Sequence, residues 1–235
     1  MSAKIIVALD VDTLDEAVRL VEATQGGADA YKVGSQLFAR CGPEAITKLR
    51  EHEAALFLDL KLHDIPNTVE KAAMAIAQMG ARMFTVHVSG GWEMLRGAVR
   101  GAHVGAENVG LEDPLALGVT LLTSLDEKTL HDDLGCTRPL VEQVQHMAQM
   151  AAEAGCAGVV ASPQELAPVR EAVGDDVLIV TPGVRPEWAQ KHDQKRTMTP
   201  KEASDAGADY LVIGRPITGH KDPAEALRLI RDELA

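Results

Sequence analysis

Two carboxylates and a lysine interrupt an apolar stretch where a β-strand is expected to end. Asp59 and Lys61 alternate with leucines over residues 58–62, and Asp64 follows shortly after. Side chains on a strand alternate between its faces, so Asp59 and Lys61 are predicted to share a face. Buried charges are costly unless they are paired or catalytic. The pattern therefore indicates an active site or a structural ion pair at a sheet edge, and the apolar flanks favour the active site.

The residues after Asp64 predict a turn from strand to helix. Ile65-Pro66 is expected to end the strand, because proline has no N–H to donate to a neighbouring strand. Asn67 or Thr68 is then expected to cap a helix that begins near Val69. Asp64 is thereby predicted to lie on the turn itself.

Short β-rich runs alternate with amphipathic helical patterns along the chain. The pattern predicts strands at residues 5–9, 30–33, 55–61, 83–88, 115–120, 158–161, 177–180 and 210–213. Helices are predicted at residues 14–24, 43–52, 69–79, 92–103, 139–154, 163–172, 200–206 and 224–234. A weak repeat supports the count, because a glycine is expected to end the helix before every second strand, at Gly27, Gly80, Gly155 and Gly207.

Eight β/α units in 235 residues predict an α/β protein with a (β/α)8 TIM barrel, a single catalytic domain over residues 1–235. A doubly wound open sheet is the alternative. It loses support because no GxGxxG follows the first strand and no Walker A motif occurs.

Active sites of such barrels lie at the carboxyl ends of the strands, where polar or glycine-rich residues gather in this chain. These residues are Asp10, Lys32, Asp59, Lys61, the segment 120–124, Gly183, Arg185, Gly214 and Arg215. Gly214 and Arg215 follow strand eight, where a phosphate is often held, and they suit one because glycine admits backbone N–H groups and arginine donates a bidentate fork. Arg185 either reinforces that phosphate site or neutralises nearby carboxylates.

The polar loop at residues 186–199 is too long for an ordinary connection and is predicted to act as a lid. Gln194, within it, is expected to touch the phosphate or the base of a ligand. The eight histidines fall in no HxH or HExxH spacing, so no metal site is predicted. His131-Asp132-Asp133 is interpreted as an exposed loop.

Charge and composition restrict the partners. The formal net charge of −12 argues against nucleic acid and anionic membranes, but it leaves room for a small anionic substrate. No apolar run approaches the length of a membrane span or a secretory segment. Three cysteines without CxxC spacing are expected to be reduced, buried thiols. A cytoplasmic enzyme is therefore predicted.

The motif from Asp59 to Thr68, DLKLHDIPNT, resembles the signature of the orotidine 5'-phosphate decarboxylase family. Further family motifs match in order at Ala8-Leu9-Asp10, Lys32, Pro182-Gly183-Val184-Arg185, Asp193-Gln194 and Ile213-Gly214-Arg215-Pro216. DxKxxD alone is shared with a wider barrel superfamily, whereas the extension Ile65-Pro66-Asn67-Thr68 is much more specific. The resemblance spans nearly the whole chain.

The resemblance implies conversion of orotidine 5'-monophosphate to uridine 5'-monophosphate and CO2, without metal or organic cofactor, in a homodimer with shared active sites. It implies that Lys61 is the general acid, within an alternating charge array of Lys32, Asp59, Lys61 and Asp64 of the other subunit. It also implies a set of binding residues: Asp10 and Lys32 at the ribose, Thr68 reaching the ribose across the dimer, Thr123 near the pyrimidine, and Arg185, Gln194 and Arg215 at the phosphate end.

There are two alternatives, one within the same superfamily and one from another class. A metal-dependent relative acting on a keto-sugar phosphate would, by resemblance, carry an acidic metal ligand on strand two, where this chain has Lys32. A non-catalytic nucleotide-binding barrel would not need Asp59, Lys61 and Asp64 intact.

Overall fold

Eight parallel strands form a closed barrel in the computed structural model, which describes residues 2–189 and 198–235. The strands are β1 Lys4–Ala8, β2 Ala30–Gly34, β3 Leu56–Leu62, β4 Met83–His87, β5 Leu115–Val119, β6 Gly158–Val160, β7 Leu178–Pro182 and β8 Tyr210–Ile213. Each strand pairs with the next along the chain, and β8 closes the barrel on β1. The predicted (β/α)8 barrel is therefore confirmed, with strand ends within two residues of those predicted.

Helices connect the strands and cover the outside of the barrel. They are α1 Leu14–Thr24, α2 Ser35–Cys41, α3 Glu44–Arg50, α4 Pro66–Gln78, α5 Trp92–Val109, α6 Glu127–Asp132, α7 Leu140–Glu153, α8 Leu166–Val173, α9 Pro200–Asp205, α10 Arg215–Thr218 and α11 Pro223–Leu234. Short 3-10 turns, Val88–Gly90 and Pro163–Glu165, precede α5 and α8. Positive φ angles at Gly80, Gly155 and Gly207 confirm three positions of the glycine repeat. Before β2, the glycine with a positive φ is Gly26 and not the predicted Gly27.

Helices α2, α6 and α10, of seven, six and four residues, are absent from the sequence prediction. The interpretation of His131-Asp132-Asp133 as a loop was wrong for its first two residues, which form the end of α6. Helix α6 forms there because the Asp126 side chain accepts a hydrogen bond from the Thr129 N–H (2.8 Å) and caps its first turn.

The predicted cap of α4 was also wrong. The helix begins at Pro66, and its capping residue is Ile65, which makes no side-chain cap. Pro66 suits the first helical position because the N–H that proline lacks would have no partner there. Asp64 Oδ1 instead accepts the Ile65 N–H at 2.6 Å, which fixes the turn between β3 and α4.

Helices α4 and α5 pack closely along their length through a stripe of glycines on α5. A Cβ at Gly97, Gly101 or Gly105 would meet the backbone oxygen of Pro66, Glu70 or Met74, respectively. The contacts advance by four residues on both helices, so the two run parallel and in step. This packing sets the position of the start of α4, directly after β3.

Two apolar clusters make up the core. The larger lies between the barrel and its helices, and the smaller consists of Ile6, Ala8, Ala30, Phe57, Met83, Leu117, Val180 and Val212. These strand residues fill the inside of the barrel, as is usual for the fold. Ala30, Phe57 and Met83 of this cluster face the inside of the barrel. Lys32, Asp59 and Thr85 follow them by two residues, respectively, and so lie on the same faces of their strands. Polar groups therefore lie directly on an apolar layer.

The cysteines form no disulfide, and Cys156 alone is buried, while Cys41 and Cys136 are half-buried, contrary to the expectation of three buried thiols. Burial raises the pKa of the Cys156 thiol to about 12. Within the ranges that the structure describes, none of the helices has the length and apolar character needed to cross a membrane.

Candidate active site

A cavity of about 350 Å³ opens at the carboxyl ends of the strands. The predicted site residues that line it are Asp10, Lys32, Asp59, Lys61, Thr123, Arg185, Gly214 and Arg215. They come from six different strands or the loops after them, and the parallel barrel brings them to one face. Cavity volume and lining both suit a small molecule.

Four charged side chains form a chain of alternating sign along one wall of the cavity. Lys32 Nζ lies 2.8 Å from Asp10 Oδ1 and 3.8 Å from Asp59 Oδ2. Asp59 Oδ1 in turn lies 2.8 Å from Lys61 Nζ. The Lys32 and Asp59 side chains are only 10% and 15% exposed, whereas Lys61 is 35% exposed. Each buried charge is thus paired with the opposite sign, and the Lys61 ammonium ends the chain with access to the cavity.

Lys61 adopts a backbone conformation that the alternating strand pattern did not predict. Its φ is +52°, in the left-handed region, which costs a residue other than glycine about 1–3 kcal/mol. The register shifts here: Leu58 pairs with Phe84 but Leu62 with Val86, so four residues of advance on β3 match two on β4. Lys61 and Asp59 meet as predicted, but through this irregularity and not through simple alternation.

Thr85 on β4 holds the irregular segment of β3. Its hydroxyl accepts a hydrogen bond from the Lys61 backbone N–H at 2.8 Å and donates one to Asp59 Oδ1 at 3.0 Å. Thr85 is buried. Sequence reasoning missed this residue, because a threonine within a strand has the ordinary β-propensity of a core position. The signal that could have indicated Thr85 was its position two residues after the inward-facing Met83, on the same face of β4.

His87, at the end of β4, is a second polar neighbour that the sequence did not indicate. Its ring lies 5.3 Å from the ring of His63, centroid to centroid. Burial lowers the pKa of His87, and the neighbouring His63 and Lys61 lower it further, against a smaller opposing effect of the Asp59 carboxylate. His87 therefore stays neutral at pH 7 and adds no positive charge beside Lys61.

Strands β7 and β8 lead into the two arginines at the barrel mouth. Arg185 follows β7 and is 7% exposed, whereas Arg215 opens α10 after β8 and is exposed. Since β3 and β7 are four strands apart in a barrel of eight, Arg185 lies across the mouth from Lys61, whereas Arg215 follows β8, which pairs with β1, the strand that leads into Asp10. The site thus has a cationic end suited to a phosphate, next to the Asp10 end of the charge chain and opposite its Lys61 end.

Apolar side chains line the space between these ends. They are Val119, Leu121, Leu122, Val160, Val180, Val184 and Val212, with Phe57 below. Sequence reasoning had placed Leu121 and Leu122 at this face within segment 120–124, and Val184 within a family motif. It did not single out the other valines or Phe57, because an apolar residue in a strand carries no sign that it faces a ligand. The apolar faces of a flat ring fit such walls.

Two of the predicted site residues that the structure describes do not line the cavity. Asp64 and Thr68 are exposed, at the β3–α4 turn and in the first turn of α4. Gln194 lies outside the described residues. Among the residues that are described, no group of three or more His, Cys, Asp or Glu side chains could hold a metal ion.

Comparison with known proteins gives consistent matches over nearly the whole chain. A family model described as "Orotidine 5'-phosphate decarboxylase / HUMPS family" matches residues 3–230. The chain is 50% identical over 232 residues to orotidine 5'-phosphate decarboxylase of Heliobacterium modesticaldum, a match that covers 99% of this chain and 96% of the relative. It is 49% identical over 235 residues to the same enzyme of Syntrophotalea carbinolica, covering 99% and 95%.

A solved structure agrees with the sequence matches. The crystal structure of orotidine 5'-phosphate decarboxylase from Lactobacillus acidophilus superposes with a TM-score of 0.88 at 38% identity, and the match covers 99% of each chain. At this identity the likeness extends from the fold to the family. The barrel, the charged wall at its mouth and the full-length matches lead to one conclusion: the chain belongs to the orotidine 5'-phosphate decarboxylase / HUMPS family.

Proposed function

We propose that this chain decarboxylates orotidine 5'-monophosphate to uridine 5'-monophosphate, the last step of de novo pyrimidine synthesis, with Lys61 as the general acid. The observation that carries the proposal is the Lys61 ammonium, which Asp59 holds at 2.8 Å on the wall of the cavity. Relatives about 50% identical carry the name of this enzyme.

The reaction needs electrostatic stabilisation above all. Loss of CO2 from C6 of the pyrimidine leaves a carbanion in the plane of the ring, where no adjacent carbonyl can delocalise it. A fixed ammonium beside C6 stabilises that charge and then supplies the proton that completes the product. Lys61 suits both steps, because its ammonium is paired on one side and accessible on the other.

The neighbouring charges keep that ammonium in place. Asp59 accepts from Lys61 Nζ and lies near Lys32, so the two lysines share one carboxylate between them. The carboxylate attracts both ammonium groups and so holds them on the cavity wall. An anionic Asp59 beside the substrate carboxylate would also raise the energy of the bound substrate relative to the transition state.

The other lining residues would bind the parts of the nucleotide that do not react. Asp10 and Lys32 would bind the ribose hydroxyls, and Thr123 would lie near the pyrimidine. Gly214, Arg185 and Arg215 would hold the phosphate, together with Gln194 from the loop. Binding energy from the phosphate then lowers the barrier of a reaction at the other end of the substrate.

The chain is proposed to act as a homodimer whose subunits share their active sites. Asp64 and Thr68 are exposed and lie outside the cavity of their own chain, so both are accessible to a neighbouring subunit. Ile65, next to Asp64, is 66% exposed, and Trp92, at the start of the adjacent helix α5, is 37% exposed. A second copy of the chain packed here would bury Ile65 and Trp92. Asp64 and Thr68 would then reach the cavity of that second copy.

The whole chain would form one catalytic barrel domain in the cytoplasm, free of nucleic acid and membrane. The net charge of −12 is consistent with that assignment.

The decisive experiment is a spectrophotometric assay of the purified chain with orotidine 5'-monophosphate. We expect turnover that is unchanged after dialysis against EDTA. Absence of turnover with this substrate would overturn the proposal. Activity that is lost with EDTA and restored by Mg²⁺ would favour the metal-dependent chemistry of keto-sugar phosphates.

A further inference from the structure

We propose that Thr85 is a positioning residue that aligns Lys61 and Asp59 for proton transfer, an inference that rests on the proposed function. Thr85 was not among the residues that the sequence or the family resemblance indicated. Its hydroxyl contacts both residues at once: the backbone of Lys61 at 2.8 Å and the carboxylate of Asp59 at 3.0 Å.

The backbone contact replaces a bond that the sheet does not provide. Between Leu58 and Leu62 the β3–β4 pairing shifts register, so regular ladder bonds are interrupted at Lys61. The Thr85 hydroxyl accepts the Lys61 N–H at this point, where φ is +52°. Since Thr85 is only 1% exposed, water is a poor substitute for its hydroxyl. Thr85 therefore stabilises the backbone conformation that directs the Lys61 side chain.

The carboxylate contact fixes the partner of the reacting group. Asp59 Oδ1 accepts from both Thr85 Oγ1 and Lys61 Nζ, at 3.0 and 2.8 Å. A hydroxyl has one proton to donate, and in Thr85 it goes to Asp59. With this bond in place the carboxylate has less freedom to rotate, and the ammonium bonded to it is held in a narrower range of positions. One hydroxyl thus restrains both ends of the Lys61–Asp59 pair.

Other buried threonines of the barrel behave differently. Thr181 Oγ1 donates to the Ala161 backbone oxygen at 2.7 Å, and Thr120 Oγ1 donates to the Val160 backbone oxygen at 2.9 Å. Those bonds join neighbouring strands and involve no charged side chain. Thr181→Val therefore serves as a matched control, because it removes a buried strand hydroxyl of the same kind without touching the charge chain.

The test compares Thr85→Val, Thr85→Ala and Thr85→Ser with wild type and Thr181→Val. For each protein, kcat and KM for orotidine 5'-monophosphate, the Kd of uridine 5'-monophosphate and Tm would be measured. We expect Thr85→Val to lower kcat by about tenfold to a hundredfold, the scale of a misplaced catalytic group, with KM and Kd changed by less than about threefold. Thr85→Ser should restore kcat to within about threefold of wild type.

The control separates positioning from stability. Thr181→Val should lower Tm while its kcat stays within about twofold of wild type. Should Thr85→Val fail to fold, the comparison of Thr85→Ala with Thr85→Ser carries the test. Wild-type kcat in the variants without the hydroxyl, or equal losses in the serine and valine variants, would overturn the inference and leave the proposed function standing. An inactive wild-type chain would instead overturn the proposed function itself.

Discussion

Gly34 lies directly against the Lys32 ammonium. A Cβ at residue 34 would be 2.9 Å from Lys32 Nζ and 3.2 Å from Asp10 Oδ1. Residue 34 lies on the same strand face as Lys32, two residues further along β2, so glycine leaves the space in which the Lys32–Asp10 ion pair forms. The absence of a side chain at Gly34 is thus part of the site geometry.

Gly34→Ala is expected to lower kcat/KM by tenfold or more, about 1.4 kcal/mol, while the chain still folds. The atoms that the new methyl meets are the ends of two side chains, which move easily, and the φ of Gly34 is −91°, which alanine tolerates. The displaced Lys32 ammonium would then no longer contact the carboxylates of both Asp10 and Asp59. Kinetics and thermal unfolding would check this, with Ser35→Ala at the neighbouring exposed residue as the control. Wild-type kinetics in Gly34→Ala would mean that Lys32 can shift without cost.

Lys61→Ala is expected to abolish turnover while binding of uridine 5'-monophosphate stays largely intact. The ammonium acts chiefly on charge that exists only in the transition state, so its loss lowers kcat much more than affinity. Single-turnover kinetics and product titration would measure the two effects, with the exposed Lys128→Ala as a surface control. A variant that keeps more than about a tenth of kcat, a loss below about 1.4 kcal/mol, would remove Lys61 from the acid role.

The sequence was enough to predict the barrel, because hydrophobic periodicity and strand-end polarity are local properties. It was enough to place Lys32 and Asp59 at the same end of the barrel, since both lie towards the carboxyl ends of predicted strands. It was not enough for the register shift at Lys61 or for Thr85, which depend on how β3 fits against β4. That fit is a tertiary property, and the pattern of one strand does not determine it.

Arg215→Ala is expected to lower kcat/KM for orotidine 5'-monophosphate by a factor that corresponds to several kcal/mol of transition-state stabilisation. We expect kcat/KM for the phosphate-free nucleoside orotidine to stay almost unchanged. A guanidinium makes strong bidentate bonds to phosphate, and the nucleoside offers none. Kinetics with both substrates would check the difference. Arg228→Ala is the control, because Arg228 lies on the surface of α11, where it pairs with Glu225 and Asp232. Equal losses on both substrates would mean that Arg215 is structural.

Gly101→Ala is expected to destabilise the fold by about 1–3 kcal/mol or more, the usual cost of overpacking. The added methyl would lie 2.0 Å from the Glu70 backbone oxygen, so α4 and α5 would have to separate. Denaturant unfolding would measure the loss against Val104→Ala, at an exposed position of the same helix. An unchanged free energy of unfolding would show that the two helices can move apart freely.

A mixture of two inactive variants tests whether the active site is shared between subunits. Asp64 lies on the turn after β3, exposed and outside the cavity that holds Lys61 of the same chain. If each site takes Lys61 from one chain and Asp64 from the other, Lys61→Ala and Asp64→Ala homodimers should both be nearly inactive. In a two-fold dimer of one variant with the other, one site has both residues intact and its mate lacks both.

Mixing the two variants should therefore restore activity. With random exchange about half of the dimers are mixed, and each has one intact site, so roughly a quarter of wild-type activity is expected. Native mass spectrometry would establish that subunits have exchanged, and the assay would follow the recovery over the same period. If exchange is complete and activity remains at the level of the separate variants, Asp64 acts within its own chain, because only a site built from two chains can be repaired by mixing.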